Sequence, residues 1–213
     1  MTLHALAPLL LIALSAPQLL PAQTVVSDSQ VYALMPASRL EVRTSKAGLL
    51  GFAGHEHAIR ARAFSGRIVF YPARPEASHV SISVAAESLE VLTPPDTEEI
   101  RKVTAAMRTD VLAARDYPEI TFTSRTVRLA GDTLHVSGAF TLHGVTRELP
   151  VTFRVAIGPD TLRAAGSFVI KQTDFGIRPY RGGPGGTVRV GDAVTFTIDV
   201  VALREGRGSS NGP

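Results

Sequence analysis

The run Thr133-Leu134-His135-Val136-Ser137-Gly138-Ala139-Phe140-Thr141-Leu142-His143-Gly144-Val145-Thr146-Arg147-Glu148-Leu149-Pro150-Val151-Thr152-Phe153-Arg154-Val155-Ala156-Ile157 decides the fold. Leu134, Val136, Gly138, Phe140 and Leu142 recur at every second position, and so do Leu149, Val151, Phe153, Val155 and Ile157. A period of two puts each set on one face of a strand. His143-Gly144-Val145-Thr146 lies between them, so the two runs read as a β-hairpin around a glycine-containing turn.

The same alternation extends on both sides. Downstream, Gly158-Pro159-Asp160 makes a turn into Leu162, Ala164, Gly166, Phe168 and Ile170, and a final strand covers Ala193 to Leu203. Upstream, Leu40 and Val42, Ile59, Ala61 and Ala63, Val80, Ile82 and Val84, and Ile120 and Phe122 alternate with polar neighbours. One segment breaks the pattern. Asp96 and Glu99 have capping-box spacing, and Ile100, Val103, Met107 and Val111 follow the helical period, so a helix is predicted over Thr97–Leu112. About eight strands joined mostly by short turns favour a closed antiparallel barrel, which leaves no exposed sheet edge. The fold class is therefore all-β with one helix. A barrel of this size is either filled by its own side chains or holds one ligand. The small inward residues Ala164 and Gly166 are expected to leave space within it.

Composition narrows the function. The 213 residues suit one domain, with a formal net charge of +3 and no Cys or Trp. Without Cys there is no disulfide, thiolate metal site or cysteine nucleophile. Basic residues are scattered, and no aromatic-basic footprint of a nucleic-acid binder is present. Residues 1–22 contain no Asp, Glu, Lys or Arg and carry the apolar run Leu9–Leu14. They read as a signal peptide cleaved after Ala22 or Ala16, with a retained anchor or a misassigned start as the alternatives. The expected organisation is a signal at 1–22, a polar leader at 23–30, a barrel at 31–203 and a disordered tail at 204–213. No later stretch is long and apolar enough for a stable membrane span, so a periplasmic or secreted protein is expected.

Four motifs occur in order. They are Tyr117-Pro118-Glu119-Ile120-Thr121-Phe122-Thr123-Ser124, Gly138-Ala139-Phe140-Thr141-Leu142-His143-Gly144-Val145-Thr146-Arg147, Phe168-Val169-Ile170-Lys171-Gln172-Thr173-Asp174-Phe175-Gly176-Ile177 and Val190-Gly191-Asp192-Ala193-Val194. Together with Phe64–Phe70 they resemble the YceI-like polyisoprenoid-binding family across roughly Leu40 to Leu203. The resemblance implies an extended lipocalin-like barrel with a helix beside it. It also implies a non-catalytic binding protein, often periplasmic, that holds a polyisoprenoid or similar long-chain lipid. Two departures stand out: Phe140 replaces a usual Leu, and Gly54-His55-Glu56-His57 replaces a simpler pattern around one His.

The expected cavity wall is Phe140, Leu142, Val151, Phe153, Phe168 and Ile170, with Thr141, Thr152, Arg154 and Lys171 facing water. The expected rim comprises His55, His57, Asp174 and Arg178, of which Arg178 is either a solvated loop residue or a contact for a phosphate head group. His55 and His57, two apart on a strand, face one way as a metal pair would. The carboxylate such a site needs is missing from Ala58-Ile59-Arg60-Ala61-Arg62, so no metal and no cofactor is expected. Asp174-Phe175-Gly176 lacks the rest of a kinase, Gly182-Gly183-Pro184-Gly185-Gly186 lacks a phosphate-loop ending, and no nucleophile elbow exists. The alternatives are a metal-dependent enzyme using His55 and His57, and a structural barrel with a filled core.

Overall fold

The computed structural model describes residues 29–47, 56–93, 97–182 and 188–206. Their strands are β1 (Gln30–Leu34), β2 (Arg39–Ala47), β3 (Ala58–Ala61), β4 (Phe64–Phe70), β5 (His79–Ala85), β6 (Leu89–Val91), β7 (Glu119–Ala130), β8 (Thr133–Leu142), β9 (Val145–Ile157), β10 (Thr161–Lys171), β11 (Arg181–Gly182) and β12 (Val188–Arg204). The helix α1 (Thr97–Ala106) stands between β6 and β7.

All pairings are antiparallel, and the order β1-β4-β5-β7-β8-β9-β10-β12 closes when β12 pairs back to β1. The lipocalin-like barrel with a single helical segment is thus realised. β12 carries the closure. One edge pairs with β10 from Thr161↔Leu203 to Lys171↔Ala193. The other pairs first with β1 through Tyr32↔Arg204 and then with β2 through Asp199↔Arg39. β2 in turn carries β3, and β3 carries β6, so one end of the barrel has a wing of three extra strands. The last strand runs one residue past Leu203, and Glu205 N–H still donates to Val31 C=O at 2.7 Å. The N-terminal segment expected as a signal peptide lies outside the described residues, as does Asp96 of the expected capping box.

Among the described residues, the far edge of β6 meets no strand. α1 covers it with side chains instead: Val91 N–H donates to Thr104 Oγ1 at 3.1 Å, and Arg108 Nε donates to Leu89 C=O at 2.9 Å. These bonds satisfy edge groups that would otherwise be buried without partners. The predicted helix is interrupted, because Met107–Val111 forms a π-turn in which Leu112 N–H reaches Met107 C=O at 2.9 Å. The wider turn keeps Met107, Val111 and Leu112 all on the barrel interior.

The central hairpin is tighter than its sequence implies. Leu142 pairs directly with Val145, so the loop is His143-Gly144 alone. Both residues have positive φ, +52° and +72°, as a type I′ turn requires. The Tyr117 ring lies 4.4 Å from the His143 ring and also covers Gly144. The inward set matches the expected alternation. Val136, Phe140, Leu142, Val151, Leu162, Ala164 and Ile170 are buried, while Thr152, Arg154 and Lys171 are exposed. Thr141 is half-buried and shares an outer-face hydrogen bond with Thr146 at 2.8 Å.

The inner glycines do not leave space, contrary to the expectation for Gly166. The Phe153 ring lies across Gly166, where a Cβ would come within 2.6 Å of Thr152 C=O and of the ring itself. Gly138 stands opposite Ser124 at a bulge in β7, and a Cβ there would lie 2.8 Å from Ser124 Cα and 2.9 Å from the Phe122 ring. These glycines permit close backbone approach and are roofed by aromatic rings. Gly138→Ala is expected to cost about 1–3 kcal/mol through overpacking. Urea unfolding should show a lower midpoint with an unchanged slope.

Candidate functional site

The barrel encloses a cavity of about 560 Å3. Its wall is built by the period-two alternation, since every barrel strand sends its apolar set inward. Phe140, Leu142, Val151, Phe153 and Phe168 all line it, as does Ala164. Ile170 does not. It is buried against Phe140, Phe175, Ile177 and Val194, behind the lining. Phe168 and Phe196, opposite one another across β10 and β12, stack at 4.9 Å with an interplanar angle of 8°. Phe140 meets both edge-on, at 6.5 and 5.8 Å. These rings form a rigid apolar collar.

The two ends of the cavity differ in chemistry. At one end Leu34, Phe70, Leu134, Val155 and Leu162 line it. Beyond them Tyr32 is fully buried against Leu162 and Ala202. Its hydroxyl donates to Gln30 Oε1 at 2.6 Å, and burial raises the phenol pKa above its ordinary value. At the other end the wing strands, α1 and β12 bring Thr44, His57, Lys102, Gln172, Tyr180 and Arg189 to the lining. Backbone bonds tie these segments together: Thr44 N–H to His57 C=O at 3.0 Å, and Val190 N–H to Tyr180 C=O at 3.0 Å. Gln172 is buried and donates Nε2–H to Gly191 C=O at 2.8 Å. His57 shares its Nδ1 with Thr93 C=O at 2.8 Å, and its N–H donates to Thr44 Oγ1 at 3.0 Å. One end of the cavity is therefore apolar apart from the buried Ser78 hydroxyl, which accepts Tyr71 N–H at 3.1 Å, and the other offers several hydrogen-bonding and charged groups.

Of the expected rim residues, only His57 reaches the lining. Asp174 and Arg178 are exposed and away from it. Asp174 serves through its backbone, accepting Arg147 Nε–H at 3.1 Å. His55 lies outside the described residues. Among the described residues no three His, Asp or Glu side chains converge as metal ligands would. Gln172, Tyr180, Thr44, Lys102 and Arg189 were not legible as site residues, because they come from five separate segments and carry no motif in common. A cue existed only for Gln172, which sits one residue beyond the inward run ending at Ile170.

A closed antiparallel barrel with a lateral helix, a three-strand wing and an apolar interior matches a known design across its whole length, and the YceI-like domain description covers residues 32–202. The chain belongs to the YceI-like family. A UPF0312 protein of Pseudomonas putida (strain W619) is 32% identical over 133 residues, which are 58% of this chain and 63% of that protein. The match thus spans less than two thirds of that relative's length. Among solved structures, Burkholderia cenocepacia BcnA superposes with a TM-score of 0.63 at 20% identity, covering 79% of this chain and 98% of that one. A polyisoprenoid binding domain from Saccharophagus degradans, implicated in plant cell wall breakdown, gives 0.61 at 15% identity, covering 82% and 98%. At these identities the likeness shows the YceI-like fold.

The polar end is held by Asp192 of the Val190-Gly191-Asp192 motif. Its carboxylate accepts Thr173 N–H at 2.9 Å and Thr173 Oγ1–H at 2.8 Å. These two bonds hold its pKa below the ordinary aspartate value. A depressed carboxyl pKa gives stability that is present above the unfolded-state pKa and lost as pH falls through the folded-state one. Asp192→Asn should speed hydrogen exchange at Thr173 at neutral pH. The gap from wild type should close as pH falls through the folded-state pKa of Asp192, read by NMR exchange across an acid titration.

Proposed function

We propose that the protein is a non-catalytic carrier or reservoir for a polyisoprenoid or similar long-chain lipid, working in the periplasm or outside the cell. The observation that carries this reading is the continuous, mostly apolar cavity of about 560 Å3 with its charged groups gathered at one end. A lipid with a single apolar chain and one polar head matches that asymmetry. The volume falls within the roughly 300–1,000 Å3 of ordinary ligand sites. Affinity comes mainly from burying methylene groups at about 0.8 kcal/mol each. Head-group selection falls to Thr44, His57, Gln172, Tyr180 and Arg189 at the polar end. The likeness to a polyisoprenoid binding domain supports the ligand class.

A filled-core barrel fits less well, because aromatic collar and cavity coexist inside one wall. A metal enzyme built on His55 and His57 would use His57 Nε2, since Nδ1 is bonded to Thr93 C=O, and would need a further ligand that Ala58-Ile59-Arg60-Ala61-Arg62 does not supply. Stoichiometric zinc or iron lost from a His55→Ala/His57→Ala double variant would favour that enzyme instead. Export is tested by N-terminal sequencing: mature protein from the periplasmic fraction should begin near Gln23.

Mass spectrometry of lipids extracted from the natively purified protein should find a long-chain apolar lipid. Ala164 is the position to plug, since it lines the cavity while Gly166 is already roofed. Ala164→Phe is expected to lose most co-purifying lipid while its melting temperature changes little. A destabilised variant, from a wild type that never carried lipid, would overturn the carrier reading.

A further inference from the structure

β9 and β10 separate halfway along their shared edge. They pair from Leu162↔Ile157 to Ala165↔Arg154, and there the ladder ends. Neither strand ends with it. β9 remains paired with β8 as far as Leu142↔Val145, and β10 with β12 as far as Lys171↔Ala193. The next tie between the two is at the far end, where Arg147 Nε donates to Asp174 C=O at 3.1 Å. Between these points the barrel wall has no backbone bridge.

The sequence removes one donor from the middle of this gap. Hydrogen-bonded and non-hydrogen-bonded pairs alternate away from the hairpin turn. Leu142–Val145 is a bonded pair, so Ser137–Pro150 is a non-bonded one, and the Pro150 nitrogen faces β10. A ladder continued in the same register would set Pro150 against Val169 as a bonded pair, and proline has no N–H to give. Val169 is 59% exposed, the most exposed large apolar residue among those described. Behind the gap, Leu149, Val151, Phe153 and Phe168 line the cavity. Over this stretch no β-ladder joins the two strands that wall the cavity.

We infer that the gap is a side opening of the cavity, across which the apolar chain of the bound lipid lies. Leu149, Val151, Phe153 and Phe168 hold it from within, and Pro150 and Val169 form the outer lips. The inference rests on the lipid-carrier reading and narrows it to chains longer than the cavity houses, whose excess length leaves through the wall.

The test is site-specific photo-crosslinking of the full chain in the cells that make it. Benzoylphenylalanine replaces Phe168 inside the cavity, Val169 or Pro150 on the lips, or Thr197, exposed on the outer face of the closed β10–β12 ladder. After illumination, the Phe168, Val169 and Pro150 variants should each gain the mass of one lipid, and the Thr197 variant should gain none. Two lip positions guard against one of them failing to fold. Adducts at Phe168 alone would overturn the side opening and leave the carrier intact. Lipid at all four positions would mean adsorption to the surface and overturn it too. A polypeptide adduct at the lips would replace it with strand addition to an open edge. No adduct at Phe168 or the lips would overturn the carrier reading itself.

Discussion

Everything in this molecule hangs on the double engagement of β12. Its 17 residues pair with β10 along one edge and with β1 and then β2 along the other. A curled sheet has two raw edges, and each is a row of unmet donors and acceptors. β12 is long enough to meet both β1, which closes the ring, and β2, which begins the wing. The kink that makes this possible lies between β1 and β2, where Ser38 Oγ accepts Val201 N–H at 3.0 Å and Met35 N–H bonds Val201 C=O at 2.8 Å. One strand thus sets the circumference of the barrel at one end and its widening at the other.

The chemistry of the interior follows from that geometry. At the narrow end the ring is complete, and apolar side chains with a buried tyrosine and a buried serine fill it. At the widened end the wall is shared among β2, β3, α1, β11 and β12, whose termini bring polar groups with them. Strand ends and loop margins tolerate Gln, Tyr and Arg where a continuous ladder selects Val and Phe. The polarity of the cavity is therefore a by-product of where the ladder is complete and where it is not.

Much of this was readable beforehand, for a physical reason. A register slip of one residue would turn every inner side chain outward, so period-two alternation encodes the inside of each strand robustly. The faces of β8, β9 and β10 and the position of α1 were legible for that reason. Gly166 misled, because a missing side chain looks like free volume in a sequence, and Gly138 is covered in the same way. Only coordinates reveal Phe153 and Phe122 lying over them. Asp174 and Arg178 misled in the opposite way, since polar residues next to an inward run suggest a rim and yet turn to solvent beyond it. The polar end was illegible because closure of the wing assembles it from distant segments. His55, on which part of that end was expected to rest, lies outside the described residues.

A helix covers the far edge of the wing, and that makes the stability of the fold uneven. Most barrel strands are bonded along both edges, whereas α1 is tied to β6 by Thr104, Arg108 and its apolar face. Each such hydrogen bond contributes about 1 kcal/mol net. Peeling the helix away therefore breaks no ladder. The contacts of the helix are thus independent of the ladder bonds that hold the ring. The fold is in this respect two-tiered: a hoop held by continuous ladders, and a panel held to it by side chains.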